Sequence, residues 1–152
     1  MDYIAEEFTD SIQLLPSDPL QKAKINYFNE IVGTVTSKTF YPAVMNMDIS
    51  KKKEFEDSVR SALSLIDASL PSDFGPYFLG QSLSTAEIFV IPHLARFKWL
   101  ESLKDIHVPW KDFPRVSAWL EKTIERPAFK STWFEKAIIE DLDKMGKRGY
   151  TN

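Results

Sequence analysis

The sequence contains no cysteine. Disulfides, thiolate zinc or iron–sulfur sites and a cysteine nucleophile are therefore excluded from this chain. Histidine occurs only twice, as His93 and His107. The two are far apart in sequence and neither has an acidic cluster beside it, so no local metal motif is read. Glycine is scarce, at five residues, and no Gly-rich phosphate loop or Gly-x-Ser-x-Gly elbow is present. Apolar runs are short, as in Ile88-Phe89-Val90-Ile91, whereas a membrane-spanning helix needs roughly 20 apolar residues. Neither sign of charge dominates: 19 basic against 22 acidic residues give a net charge of −3. There is no overall basic field to hold nucleic acid. The first residues, Met-Asp-Tyr-Ile-Ala-Glu-Glu-Phe, carry early acids and no basic leader. No signal peptide is visible, and the cytoplasm is the default compartment.

What remains is a chain of 152 residues, 43% hydrophobic and 27% charged. That is the balance of a soluble globular protein, long enough for one domain with a substantial core. Aromatic residues make 13% and prolines number nine. Few glycines and many helix formers predict an all-α helical bundle, with prolines at helix starts and in connections.

Start signals and periodicity locate the helices. Residues 1–8 read as the last turns of a helix and 9–17 as a connector. Asp18-Pro19-Leu20-Gln21 is an N-terminal signature: Asp18 caps, Pro19 occupies the first helical position, and Gln21 is placed to reach back. The helix then carries Ala23/Lys24, Tyr27/Phe28, Ile31/Val32 and Val35 to about residue 40, where Pro42 is expected to bend or end it. Residues 46–50 read as a turn. From about 50 to 69, Phe55, Val59, Ala62/Leu63, Ile66 and Leu70 form the cleanest amphipathic stripe. Ser84-Thr85-Ala86-Glu87 is a capping box, flanked by Leu83 and Ile88 as a hydrophobic staple. The following helix is apolar nearly all round and belongs at the centre of a bundle. Residues 101–112 read as a loop. Phe113-Pro114 opens a further helix that Pro127 ends; 128–134 is read as a short turn, about 135–145 as the last helix, and 146–152 as a flexible tail.

Three stretches together carry a family resemblance. They are Tyr3-Ile-Ala-Glu-Glu-Phe8 with Leu14-Leu15-Pro16 and Asp18-Pro19; Phe78-Leu79-Gly80 through Ser84-Thr-Ala-Glu87; and Phe113-Pro-Arg-Val-Ser-Ala-Trp119 running on to Glu125-Arg126-Pro127-Ala128-Phe129. In this order and spacing they resemble the C-terminal helical domain of cytosolic glutathione S-transferases, with the Leu-Leu-Pro linker nearest to fungal and omega-like members. The family more often has Asp where Glu87 stands. The resemblance implies that residues 1–17 are the remnant of a preceding domain's last helix plus a linker, and that 18–145 form the helical domain. It implies that the thioredoxin-like domain, which binds and activates glutathione in this family, is absent, so no catalytic residue is assigned. No cofactor is implied, and glutathione is a co-substrate only if that domain is supplied.

By the same resemblance the helical domain contributes a hydrophobic co-substrate pocket, with Tyr27, Phe28, Ile31, Phe40, Tyr41, His93, Arg96, Phe97, Trp133 and Phe134 as candidates. Each aromatic among them also fits a core position. Arg96, on an otherwise apolar helix, needs a partner: a substrate carboxylate, the glycyl end of glutathione, or more simply Glu87, Asp67 or Glu101, unless its head reaches solvent. His93 reads first as a hydrogen-bonded helix histidine. Lys51-Lys52-Lys53 stands beside Glu54, Glu56 and Asp57, a solvated mixed surface rather than a nucleic-acid patch. A homodimer through the first two long helices is expected, as is an apolar face, including Leu14 and Leu15, left for a thioredoxin-like domain or a protein partner. The alternative is a non-catalytic interaction module, like the transferase-like domains of the translation elongation factor gamma subunit and of aminoacyl-tRNA synthetase complexes.

Overall fold

The computed structural model describes residues 7, 13–45, 48–133 and 135–148. Six α-helices follow one another: α1 (Pro19–Met45), α2 (Lys52–Ala68), α3 (Thr85–Lys104), α4 (Pro114–Ile124), α5 (Pro127–Thr132) and α6 (Glu135–Arg148). Short 3₁₀ turns at Ile49–Lys51 and Trp110–Asp112 lead into α2 and α4. Among the described residues there is no strand, only two isolated bridges, Tyr77 with Gly80 and Leu79 with Ser82. The all-α expectation holds. The reading of residues 1–8 as a helix falls outside the described residues, apart from Glu7. No helix of the described residues is long and apolar enough to cross a membrane.

The bundle is organised around α3, which packs on α1, α4 and α6. Its Val90, Ile91, Leu94, Phe97 and Leu100 have no exposed surface. Against them α1 turns Ile25, Phe28, Val32, Phe40 and Val44, and α2 supplies the stripe Val59, Ala62, Leu63 and Ile66. The helices α1 and α3 meet at Gly33: a β-carbon there would stand 3.2 Å from Cζ of Phe89, so only a glycine permits this approach without displacing the ring.

Asp18 caps α1 through its Oδ1, which accepts from Leu20 N–H at 3.0 Å. Pro42 does not end α1; the helix continues to Met45. Pro42 lies on the exposed side, so the carbonyl of Lys38 that loses its N–H donor can be satisfied by water. Phe40, Ala43 and Val44 on the opposite side remain buried and hold the last turns in place. The central helix also runs further than the periodicity indicates. It reaches Lys104 and stops at Asp105, which takes the left-handed conformation at φ 51°. Leu100 is fully buried in that last stretch and draws the extra turn inward. Beyond Pro127 the expected turn is the six-residue helix α5, and α6 extends to Arg148.

Candidate functional site

The start of α3 fixes the geometry of everything around it. Ser84 is the N-cap, its Oγ accepting from Ala86 N–H at 3.2 Å, and both arms of the capping box are present. Glu87 is only 1% exposed, yet its two oxygens take four donors. Oε2 accepts from Ser84 N–H at 2.8 Å and from Ser84 Oγ–H at 2.9 Å. Oε1 accepts from Phe78 N–H at 2.6 Å and from Trp119 Nε1–H at 2.9 Å. The carboxylate thus ties α3, the Tyr77–Gly80 turn and α4 together. That turn needs Gly80 at φ 77°, a conformation costly for any residue with a β-carbon. The linker joins the same knot, Thr85 N–H donating to Leu14 C=O at 3.0 Å. Leu15, expected on an exposed face, is instead buried.

The ten candidate pocket residues divide by position. Phe28, Phe40 and Phe97 are 1%, 2% and 0% exposed. They are core side chains: Phe28 stacks on Phe78 at 4.6 Å, and Phe40 packs edge-on to Trp99 at 6.3 Å. Phe134 lies outside the described residues. The others reach the surface. Gly33 opposite Phe89 and Tyr41 opposite Arg96 show that α1 and α3 run alongside in the same direction. On α3, Ile88, Phe89, Pro92, His93 and Arg96 form one incompletely buried strip. Ile31 is half-buried on α1, and Tyr27 and Tyr41 are exposed.

Arg96 does not meet the carboxylate expected for it. Its Nη1 donates to the Tyr41 hydroxyl at 3.4 Å. Glu87 is occupied by its own four donors, and Glu101 accepts from Val108 N–H. His93 lies 5.1 Å from the Phe89 ring. Partial burial and then the nearby Arg96 charge hold its imidazole below the ordinary range. The unfolded chain therefore binds a proton more readily there than the folded one. The stability His93 contributes is present above about pH 6.5 and is lost as the pH falls below it. Between pH 7 and 5 the parent chain should lose more stability than a His93→Gln variant; parallel denaturation curves for the two would contradict this.

Trp133 stands elsewhere. Its ring stacks on Phe129 at 4.8 Å and lies 5.0 Å from Trp99. With Leu14, Leu83, Ile88, Pro92 and Ile138, the rings of Phe129 and Trp133 wall a cleft of about 630 Å³ whose polar lining comes from Glu87, Thr123, Arg126 and Thr132. None of the other described candidates lines it. The motif Arg126-Pro127-Ala128-Phe129 signals a helix start, but nothing local in it shows that Arg126 and Phe129 face a cavity. Between α1 and α2 runs an open groove of mixed charge, lined among others by Val35, Lys38, Asp57 and Leu65. In the basic run, Lys52 pairs with Asp105 at 2.7 Å and Lys53 with Asp57 at 3.0 Å. No group of metal-binding side chains occurs among the described residues.

Proteins similar to this chain are glutathione transferases. The family model for the glutathione S-transferase C-terminal domain matches residues 50–122. Glutathione S-transferase F14 of Arabidopsis thaliana is 29% identical over 94% of this chain and 59% of its own length. Glutathione S-transferase U26 of the same plant is 25% identical, covering 97% and 66%. The chain thus spans about three fifths of the length of such curated relatives. Among solved structures, a Tau class glutathione S-transferase from mango, Mangifera indica, superposes with a TM-score of 0.73 at 22% identity over 97% of this chain and 67% of that one. A trimeric glutathione transferase of Leishmania gives 0.70 at 19% identity over 97% and 33%. The chain is therefore glutathione-transferase-like, with the all-α fold of that family's C-terminal domain.

Proposed function

We propose that this chain is the helical half of a glutathione transferase. In this reading the strip of α3 beside α1, with Ile31, Tyr41, Phe89, His93 and Arg96, is the wall that receives a hydrophobic electrophile. The thiol of glutathione is bound and activated by a thioredoxin-like domain seated against that wall. The observation that carries the reading is the strip itself. An otherwise core helix leaves a histidine, an arginine and a phenylalanine incompletely buried on one side, next to an exposed tyrosine. Apolar walls with a few placed polar groups suit an electrophile bearing aromatic rings. The α1–α2 groove, where Leu65 is 46% exposed, serves as the dimer contact, and the cytoplasm as the compartment. Identity of 31% over 53% of the chain to the glutathione S-transferase-like protein OpS6 of the fungus Beauveria bassiana supports a fungal-type relative.

The pure 152-residue chain, given glutathione and 1-chloro-2,4-dinitrobenzene, should conjugate them no faster than the uncatalysed background. Fused behind the thioredoxin-like domain of a plant relative, it should turn the pair over, and Arg96→Ala should change KM more than kcat. Robust turnover by the chain alone would overturn the two-part site. Retention of full activity by a fusion in which α3's strip is made charged would overturn the wall. Sedimentation should give twice the 17.5 kDa chain mass, reduced to one by Leu65→Lys.

A further inference from the structure

The exposed side of α4 carries two cations that neither the α3 strip nor the α1–α2 groove uses. An open groove of about 570 Å³ runs between this helix and the turn that follows α2. The turn contributes Phe74 and Pro76, and the helix contributes Pro114 and Ala118; Arg115 and Lys122 are the charged side chains that line it. Trp119 forms the floor, buried and edge-on to Phe74 with ring centroids 5.6 Å apart.

No carboxylate lines this groove; Asp73, on the same turn, stays out of it. The acids that neighbour Lys122 on α4 are committed elsewhere, Glu121 to Lys98 and Glu125 to Lys130. Lys122 itself pairs with no carboxylate among the described residues. Arg115 is not a loose surface cation. Its Nη2 donates to Pro71 C=O at 3.0 Å, and its guanidinium carbon lies 5.4 Å from the centre of the Phe74 ring. Two contacts thus hold it at the rim, while a guanidinium with five N–H donors keeps others to offer. The N-terminal end of α4, at Pro114, adds partial charge of the same sign. Charge complementarity therefore calls for an anionic occupant.

Spacing selects the form of that occupant. Arg115 and Lys122 are seven residues apart, two turns along one face, so their stems leave α4 roughly 10.5 Å apart. Ala118 lies between them, exposed and too small to fill the gap. Side chains on one face of an extended strand recur about every 6.6 Å, or about 13 Å if one is skipped. A polyproline II helix returns to the same face about every 9.3 Å, the nearest match. Its preformed backbone also suits a groove walled by an aromatic ring and prolines.

We propose that this groove docks an acidic, proline-containing segment of a partner protein in the polyproline II form. Carboxylates three residues apart meet Arg115 and Lys122, and the intervening prolines lie against Phe74 and Pro76. This docking needs neither glutathione nor a second domain, so it stands if the proposed transferase role fails.

The test is calorimetric titration of the full chain with three end-blocked peptides: Glu-Pro-Pro-Glu-Pro-Pro-Glu, its Gln-for-Glu counterpart and its Gly-for-Pro counterpart. The acidic proline peptide should bind about tenfold or more tightly than the Gln peptide, since charge-assisted bonds replace neutral ones. It should bind severalfold more tightly than the Gly peptide, which must lose its freedom on docking. Lys122→Gln and Arg115→Gln should each reduce the preference for Glu over Gln, and together remove it. Ala118→Glu sets a carboxylate between the two cations at an exposed position that a good helix former tolerates, and should weaken the acidic peptide more than about tenfold. Equal affinity for the Glu and Gln peptides, equal affinity for the proline and glycine peptides, binding of none of them, or undiminished binding by Ala118→Glu would each overturn the proposal. Tighter binding of oligothymidylate than of the acidic peptide, lost in the same variants, would overturn it in favour of a nucleic-acid surface. If Arg115→Gln does not fold, because its tie to Pro71 is lost, Lys122→Gln and Ala118→Glu decide.

Discussion

Replacing Glu87 by alanine should cost roughly 4 kcal/mol or more, a large share of the 5–15 kcal/mol that holds a domain of this size together. The side chain is buried and accepts from Phe78 N–H, Ser84 N–H, Ser84 Oγ–H and Trp119 Nε1–H. Alanine leaves those donors without their acceptor, and each buried unsatisfied donor costs about 1–3 kcal/mol. Smaller changes at the same site should give graded losses. Glu87→Gln keeps the reach but loses the charge and points an NH₂ at other donors, for a loss of about 2–3 kcal/mol. Glu87→Asp can serve the cap, but one methylene less separates it from either Phe78 or Trp119. Ser84→Ala removes only the cap hydroxyl, for about 1 kcal/mol. Because Ser84 and Glu87 share one network, their losses should not add. Urea denaturation midpoints, at unchanged slope, provide the measurement. A Glu87→Ala chain within 1 kcal/mol of the parent would show that the carboxylate is not the tie between α3, α4 and the Tyr77–Gly80 turn.

The same residue shows what sequence spacing can and cannot disclose. Ser84 and Glu87 are three apart, and a capping box is a local geometry, so their pairing is legible from spacing alone. Trp119 is thirty-two residues away from Glu87; that this indole is the fourth donor depends on how α4 lies on α3, which no short-range pattern encodes. Pro42 illustrates the reverse error. Its local preference is to break a helix, but the exposed side of α1 accommodates the missing bond while buried Phe40, Ala43 and Val44 carry the helix on to Met45. Periodicity likewise assigns the aromatic residues to helix faces without saying which face meets a neighbour. Arg96 needs a partner by virtue of its apolar helix, yet the partner is a tyrosine hydroxyl on α1 rather than a carboxylate. The cleft at Trp133 draws its walls from the linker, α3, α4, α5 and α6, so it joins residues from Leu14 to Ile138. Of its aromatic wall, only Trp133 stands among the binding residues that sequence suggests.

Phe28→Ala and Tyr27→Ala should separate core from surface at adjacent positions that sequence treats alike. Tyr27 is 72% exposed and Phe28 is 1% exposed. Removing the Phe28 ring takes away its stack on Phe78, with centroids 4.6 Å apart, and its contact with Trp119 at 5.9 Å. A buried phenylalanine reduced to alanine costs about 3–5 kcal/mol through lost burial and the cavity left behind. Tyr27→Ala should stay within about 0.5 kcal/mol of the parent. The two sites are also coupled, because the N–H groups of Phe78 and Trp119 are the two that reach Oε1 of Glu87. A Phe28 cavity lets both shift, so Phe28→Ala combined with Glu87→Gln should cost less than the sum of the two. Full additivity would mean that the ring stack and the buried carboxylate act independently. A Phe28→Ala loss below about 1 kcal/mol would return Phe28 to the role of a ligand contact, because a cavity in a packed core cannot be that cheap.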